Sequence, residues 1–496
     1  MRAVMVMFDT LSKRFLSTYG SDRTITPNFR RLEEKCIVFD NFYGGSMPCM
    51  PARRELHTGR YNFLHRGWGP LEPFDCSVME ELRRGGIYTH LVTDHSHYFE
   101  DGGATYHNRY DTWEGFRGQE GDRWAPQICS DPELNKNPLN KQGVSALQHY
   151  ANRSRITSEE EMPSVKTINA GLEFLEHYKS EENWFLQIEC FDPHEPFYVP
   201  DKYRKLYDCP PSEGAFNWPP YEPVSGNVTE AETEGLKKEY AALITMCDHH
   251  LGRILDFMDE NSMWEDTMLI VNTDHGFLLG ERGFMGKNYM PMYEEIIHIP
   301  FYIHDPRYEA EKGRRKELAQ TIDIAPTLLE FFHVDLKGCP MDGKPLTPVV
   351  SGDKKIHENI LFGIHGGHVN IYDGKHMLMK APEKENRPLV SWTLMPANMR
   401  GFYNRNTLEQ GTLINGGRFT NGIPCIKYPE QVYVDPVRFG DLLFDMETDP
   451  DQKNPLDDEK IMGDMCAKLK TAMDEVEAPE EEYIRIGLER RSCDSI

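Results

Sequence analysis

The 496-residue sequence has no CxxC pair, no apolar run long enough to cross a bilayer and no surplus of positive charge. Its 11 cysteines are scattered, which excludes a zinc ribbon or a dense disulfide framework, and most are expected to be reduced thiols. A membrane-spanning helix needs about 18 or more apolar residues in a row, so no membrane segment is expected. The apolar start from Ala3 to Phe8 is too short for a secretory leader, and a cytoplasmic location is expected. Acidic side chains number 80 against 55 basic ones, a net charge of −25. A field of that sign repels nucleic acid and anionic membranes, and neither is an expected partner.

What is present is an ordinary folded-chain balance, 39% hydrophobic and 27% charged. The length suits one large domain and a smaller one. Arg2–Phe8, Ile87–Thr93, Trp184–Phe191 and Thr267–Asn272 are short apolar runs that read as buried strands. Between them, Thr26–Lys35, Val165–Tyr178 and Leu236–Met258 have helical spacing, the first opened by Thr26 with Pro27 behind it. Strand and helix in alternation predict an α/β fold, a mostly parallel central sheet sandwiched by helices. Near residue 345 the pattern changes. Residues 346–496 are expected to form a smaller α+β domain, with strands at Gln431–Val434 and Asp441–Phe444 and a final helix from Glu459 to Val476. The polar segment from Gly118 to Ser154 is expected to be a lid or a plain surface insertion.

In parallel sheets chemistry collects beyond the carboxyl ends of the strands. Asp9, the pair Asp192 and His194, and the pair Asp274 and His275 each follow a predicted strand, so three strands carry ionisable groups to one edge. The run Cys49-Met50-Pro51-Ala52-Arg53-Arg54-Glu55-Leu56-His57-Thr58-Gly59-Arg60 adds a reactive side chain. Pro51 fits the first turn of a helix, which puts residue 49 at a helix N-terminus, where free N–H groups favour an anionic oxygen. Arg53 falls one turn later on the same face and is expected to act in catalysis by stabilising residue 49 and the metal-bound oxygens, and Arg54 is expected on the surface or in packing.

That run resembles the signature of type I sulfatases, in which Cys-x-Pro-x-Arg is followed by Leu-x-Thr-Gly-Arg. The resemblance extends from the first residue to about residue 456, where Leu443-Phe444-Asp445 and Asp449-Pro450 look like the family's C-terminal turn. It implies the alkaline-phosphatase-like fold and hydrolysis of sulfate monoesters. It also implies that Cys49 is oxidised to formylglycine by a maturase, and that the hydrated aldehyde supplies the attacking oxygen. Asp9, Asp274, His275 and residue 49 match the family's metal ligands, for a divalent cation with Ca²⁺ expected first, then Mg²⁺ or Mn²⁺. Lys287 matches the lysine that grips the sulfate. His194, in Asp192-Pro193-His194-Glu195-Pro196-Phe197, matches a general acid. His95 and His97 stand where many sulfatases have a Lys-x-His pair, and are expected to contact the sulfate or the diol. Thr10 departs from the family, which has a second Asp there, and this leaves the metal's charge balance open. The expected substrate is a small anionic ester, a sulfated sugar or an aryl sulfate, with tyrosines and tryptophans of 98–124 as lining. Two alternatives stand beside this reading: a phosphonate monoester or phosphodiester hydrolase with the same nucleophile, and a non-catalytic binding protein on the same fold.

Overall fold

The computed structural model describes residues 1–488 except 127, 129–143, 211–216, 227, 309–311, 337, 339 and 432–433. Its centre is an eight-stranded sheet: β1 (Arg2–Phe8), β2 (Ile37–Phe39), β3 (Tyr88–Thr93), β4 (Thr112–Gly115), β5 (Trp184–Cys190), β6 (Thr267–Asn272), β7 (Phe301–His304) and β8 (Gly313–Arg315). The strands lie in the order β8-β2-β7-β6-β1-β5-β3-β4. Strand β1 runs parallel to β5 and β6, and β3 parallel to β4 and β5, while β7 is antiparallel to its neighbours β6 and β2. Every residue of β1, β5 and β6 is buried, which is why these runs are apolar without alternation.

Both faces of the sheet carry a core. Val4, Val6 and Phe8 of β1 point into a cluster shared with helices α1 (Pro27–Lys35), α3 (Pro163–Tyr178) and α4 (Glu230–Glu260). Ala3, Met5 and Met7 point the other way, into a cluster with α2 (Cys49–Thr58) and α5 (Ile324–Phe331). Helix α4 begins further upstream than its apolar spacing suggests. Thr229 caps it, accepting from the Glu232 N–H while the Glu232 carboxylate takes the Thr229 N–H, a reciprocal capping box.

A second sheet contains β9 (Ile360–Ile364), β10 (Val369–Tyr372), β11 (His376–Lys380) and β12 (Leu442–Asp445), all antiparallel, with α6 (Glu459–Glu475) packed on one face. Its fifth member comes from the other end of the chain. Ser46–Met47 pairs in parallel with Gly363 and Ile364, immediately before α2. The boundary expected at residue 345 is therefore crossed by a strand that leads into α2. The strand expected at Gln431–Val434 falls partly on residues 432–433, outside those described. Among the described cysteines, Cys36, Cys49, Cys190, Cys209, Cys247, Cys425 and Cys466 are free, in line with mostly reduced thiols, while Cys76 is disulfide-bonded.

The segment expected as a lid or a surface insertion is pinned at both ends. Gln119 Nε2 donates to Asp94 Oδ2 at 2.7 Å, Asn152 Nδ2 donates to the Asp122 carbonyl at 2.8 Å, and Arg153 donates to Gln119 Oε1 at 2.9 Å. Its middle, 129–143, lies outside the described residues. No helix among those described is long and apolar enough to cross a membrane.

Candidate active site

The sheet register brings the strand ends side by side. Phe8 is level with Cys190, and Met7 with Asn272, so Asp9 and the Thr273-Asp274-His275 segment leave the sheet together. Two hydrogen bonds fix this: Thr10 N–H to Asp274 Oδ1 at 3.0 Å and Leu11 N–H to Thr273 Oγ1 at 3.0 Å. Thr10 has φ +62°, a left-handed conformation that costs a β-branched residue about 1–3 kcal/mol. Its hydroxyl donates to Asp9 Oδ1 at 2.6 Å and accepts from Lys287 Nζ at 3.0 Å. The corner where a second carboxylate was expected to be missing is thus filled by a hydroxyl that joins Asp9 to Lys287.

Cys49 begins α2, and all ten residues of that helix are buried. Its Sγ lies 3.2 Å from His275 Nε2. Ligand atoms of Asp9, Cys49, Asp274 and His275 all fall within 4.8 Å of one another. His275 Nδ1 lies 3.0 Å from the Gly276 carbonyl, which must accept a proton from it, so Nε2 presents a lone pair to the cluster. Two carboxylates and an imidazole lone pair converging on one buried point fit a divalent cation. Gly276 is needed in this turn. A Cβ there would sit 2.1 Å from the Glu295 carbonyl oxygen, and that backbone cannot yield as a side chain would. Gly276→Ala is expected to weaken cation binding by about 10-fold or more, as read by calorimetric titration with the metal.

Arg53 reaches three carboxylates. Its Nε donates to Glu189 Oε1, Nη1 to Asp274 Oδ2 and Nη2 to Asp9 Oδ2, each at 2.8 Å, and Nη1 also meets the Cys49 carbonyl at 3.0 Å. Burial pushes the Asp9 carboxyl up, but Arg53 first, then His194, His95 and Lys287, hold it well below the usual carboxylate range. The Cys49 thiol is driven the other way, well up, by burial and by Asp9. As a thiol it would stay protonated and be a poor nucleophile at neutral pH.

The histidines divide into donors and acceptors. His95 Nδ1 accepts from the His97 N–H at 3.3 Å, which leaves Nε2–H facing Asp9 Oδ2 at 3.2 Å. His95 thus supports a carboxylate. His97 meets Glu100 Oε2 at 2.8 Å and lies edge-on to Trp68, ring centroids 4.7 Å apart. His194 Nδ1 lies 2.5 Å from the Glu195 carbonyl, so its Nε2 carries the lone pair, and burial with Lys287 beside it depresses its protonation well below normal. Burial pulls Lys287 down, but Cys49, Glu195, Asp9 and Asp274 outweigh this and keep it charged.

Some expected residues lie elsewhere. Asp192 turns away from the cluster toward Gln119 and Ser164. Arg54 is packing rather than surface, buried and donating to Asn62 Oδ1, the Gly67 carbonyl and the Gly69 carbonyl. Tyr98, Tyr106 and Tyr110 belong to the core, not to an open lining, while Trp113 is exposed. Glu189 and Glu195 were missed. Glu189 was legible in principle, as a charge in the middle of an otherwise apolar buried strand.

A family model described as Sulfatase matches residues 2–334. The chain belongs to the sulfatase family. Sulfatase relatives agree: the arylsulfatase of Clostridium perfringens (strain 13 / Type A) is 24% identical over 412 residues, covering 77% of this chain and 84% of that one. The fold matches a solved complex with its substrate D-glucosamine-2-N,6-O-disulfate, at TM-score 0.66 and 13% identity over 97% of this chain and 99% of that chain. It matches the phosphonate monoester hydrolase of Agrobacterium radiobacter comparably, at TM-score 0.65 and 17% identity over 96% of each chain. As a sulfatase the protein is a sulfuric ester hydrolase with the alkaline-phosphatase-like fold.

Proposed function

We propose that this sulfatase cleaves sulfate monoesters of sugars or aryl alcohols at Cys49 after its maturation to formylglycine, with a divalent cation held by Asp9, Asp274, His275 and residue 49. The observation that carries the reading is the buried start of α2, where the residue-49 side chain meets the four-residue ligand group. The hydrated aldehyde would supply a nucleophilic oxygen that the protonated thiol lacks, and the cation would stabilise charge on the transferred group. The two carboxylates among the donors suit a hard divalent cation, Ca²⁺, Mg²⁺ or Mn²⁺, with His275 as the single nitrogen donor.

The chain's own residues do the rest. The helix start and Lys287 concentrate positive charge inside an acidic protein, as binding of an anion requires. Arg53 is saturated by carboxylates, so it holds Asp9 and Asp274 in place and leaves Lys287 to face the ligand. His194 Nε2 offers a lone pair, and Lys287, which stays charged, would hold the transferred group and the departing oxygen by hydrogen bonds. Sulfated sugars as substrates are supported by the glucosamine disulfate bound in the solved relative.

The test is hydrolysis of an aryl sulfate beside an aryl phosphonate monoester, with and without chelator. Preference for the sulfate and loss of activity on chelation are expected. Preference for the phosphonate would assign the protein to the phosphonate hydrolases, and indifference to chelator would remove the cation. Cation at 100 times its Kd is also expected to stabilise the fold by about 2.7 kcal/mol, and Asp274→Asn to cancel most of that shift in thermal denaturation.

A further inference from the structure

A buried acid is out of place beside a group that must bind an anion. Glu195 is 3% exposed and its Oε2 lies 3.8 Å from Lys287 Nζ. Tyr221 donates its hydroxyl to Oε1, whereas Oε2 has no hydrogen-bond partner among the described residues. The Glu195 backbone carbonyl at the same time accepts from His194 Nδ1. One residue therefore touches both Lys287 and His194. Lys287 gives one of its three ammonium hydrogens to Thr10 Oγ1, which leaves others for a ligand.

We infer that Glu195 is the positioning residue of Lys287, and that the proton on its carboxyl sets the affinity of the site for an anion. The inference rests on the sulfatase reading above and adds a pH dependence to it. Ionised, Glu195 compensates the Lys287 charge and repels sulfate. Protonated, it leaves that charge free and offers an O–H donor of its own.

The groups facing Glu195 are Lys287, His194, Tyr221 and Glu120. Lys287 stays charged, His194 stays neutral, and burial raises the Tyr221 phenol well above its ordinary value. Burial likewise pushes Glu195 up, against the pull of Lys287, to about 7. A group with that midpoint is mostly protonated at pH 6 and mostly ionised at pH 8. Binding that requires the protonated form then weakens about 10-fold between the two. Sulfate itself is a dianion throughout, so the ligand adds no titration.

The experiment is calorimetric titration of the full-length, cation-loaded protein with inorganic sulfate at pH 6, 7 and 8. Wild type is expected to show a Kd that rises about 10-fold across this range. Glu195→Gln, neutral at every pH and able to keep the Tyr221 contact, is expected to flatten the rise to less than about twofold. Glu195→Ala, which also leaves the Lys287 charge uncompensated at every pH, is expected to show a similarly flat Kd across the three pH values, changing by less than about twofold. A Glu195→Gln variant that reproduces the wild-type slope overturns the inference and leaves the sulfatase reading intact. An alanine variant indistinguishable from wild type does the same. Wild-type protein that binds no sulfate at any pH overturns both.

Discussion

Cys49→Ala is expected to lower aryl sulfate hydrolysis by ~10⁴-fold or more, the size of loss seen when a covalent nucleophile is deleted. The residue is small and 4% exposed, so the substitution removes only the heteroatoms beyond Cβ, the thiol sulfur or the aldehyde oxygen, and leaves the helix start unchanged. Stability is expected to move by only about 1 kcal/mol, which thermal denaturation checks. Activity and fold are thereby separated. Peptide mass spectrometry of active wild-type material is the companion measurement, with residue 49 expected lighter than a thiol, as the aldehyde. Material that stays a thiol and still turns over at the full rate would remove formylglycine from the mechanism, and an alanine variant of full activity would remove the nucleophile altogether.

Arg53→Met is expected to have the largest effect on stability. The guanidinium is 1% exposed and is the shared counter-ion of Asp9, Asp274 and Glu189. Without it three carboxylates remain buried together, and breaking such a network costs about 3–5 kcal/mol. The divalent cation can replace Arg53 for Asp9 and Asp274, but Glu189 is not among the metal-ligand group. Added cation is therefore expected to restore part of the lost stability, and Glu189→Gln in the same chain to restore more. The pair is read as a double-mutant cycle in chemical denaturation. Strict additivity of Arg53→Met and Glu189→Gln would mean that the two side chains do not act as a unit.

The central sheet was legible because β1, β5 and β6 are buried on both faces, which forces continuous apolar runs. Their ends were legible as well, since Asp9 and Asp274 break those runs abruptly. Short elements were not. Thr112–Gly115 and Ser46–Met47 hold four and two residues, too few for any periodicity to register. Within the site, Cys49, Arg53, Asp9, Asp274, His275 and Lys287 stood out by motif. The part played by Glu195 and Glu189 was hidden, because each is defined by a partner distant in sequence: Lys287 for one, Arg53 and Tyr98 for the other. Histidine tautomers were hidden for a similar reason, being set by backbone carbonyls that only the folded turn supplies.

The pairing of Ser46–Met47 with Gly363 and Ile364 makes the C-terminal sheet a mechanical support for the start of α2, where residue 49 sits. Strain applied to that sheet is transmitted through two residues to the first turn of α2, without passing through the central sheet. A chain cut at residue 345 would retain Asp9, Cys49, Asp274, His275, His194 and Lys287, yet Ser46–Met47 would lose its pairing partner. Changes in the C-terminal region can thus reach the reaction by two routes, through what the substrate touches and through the angle at which α2 presents its first residue.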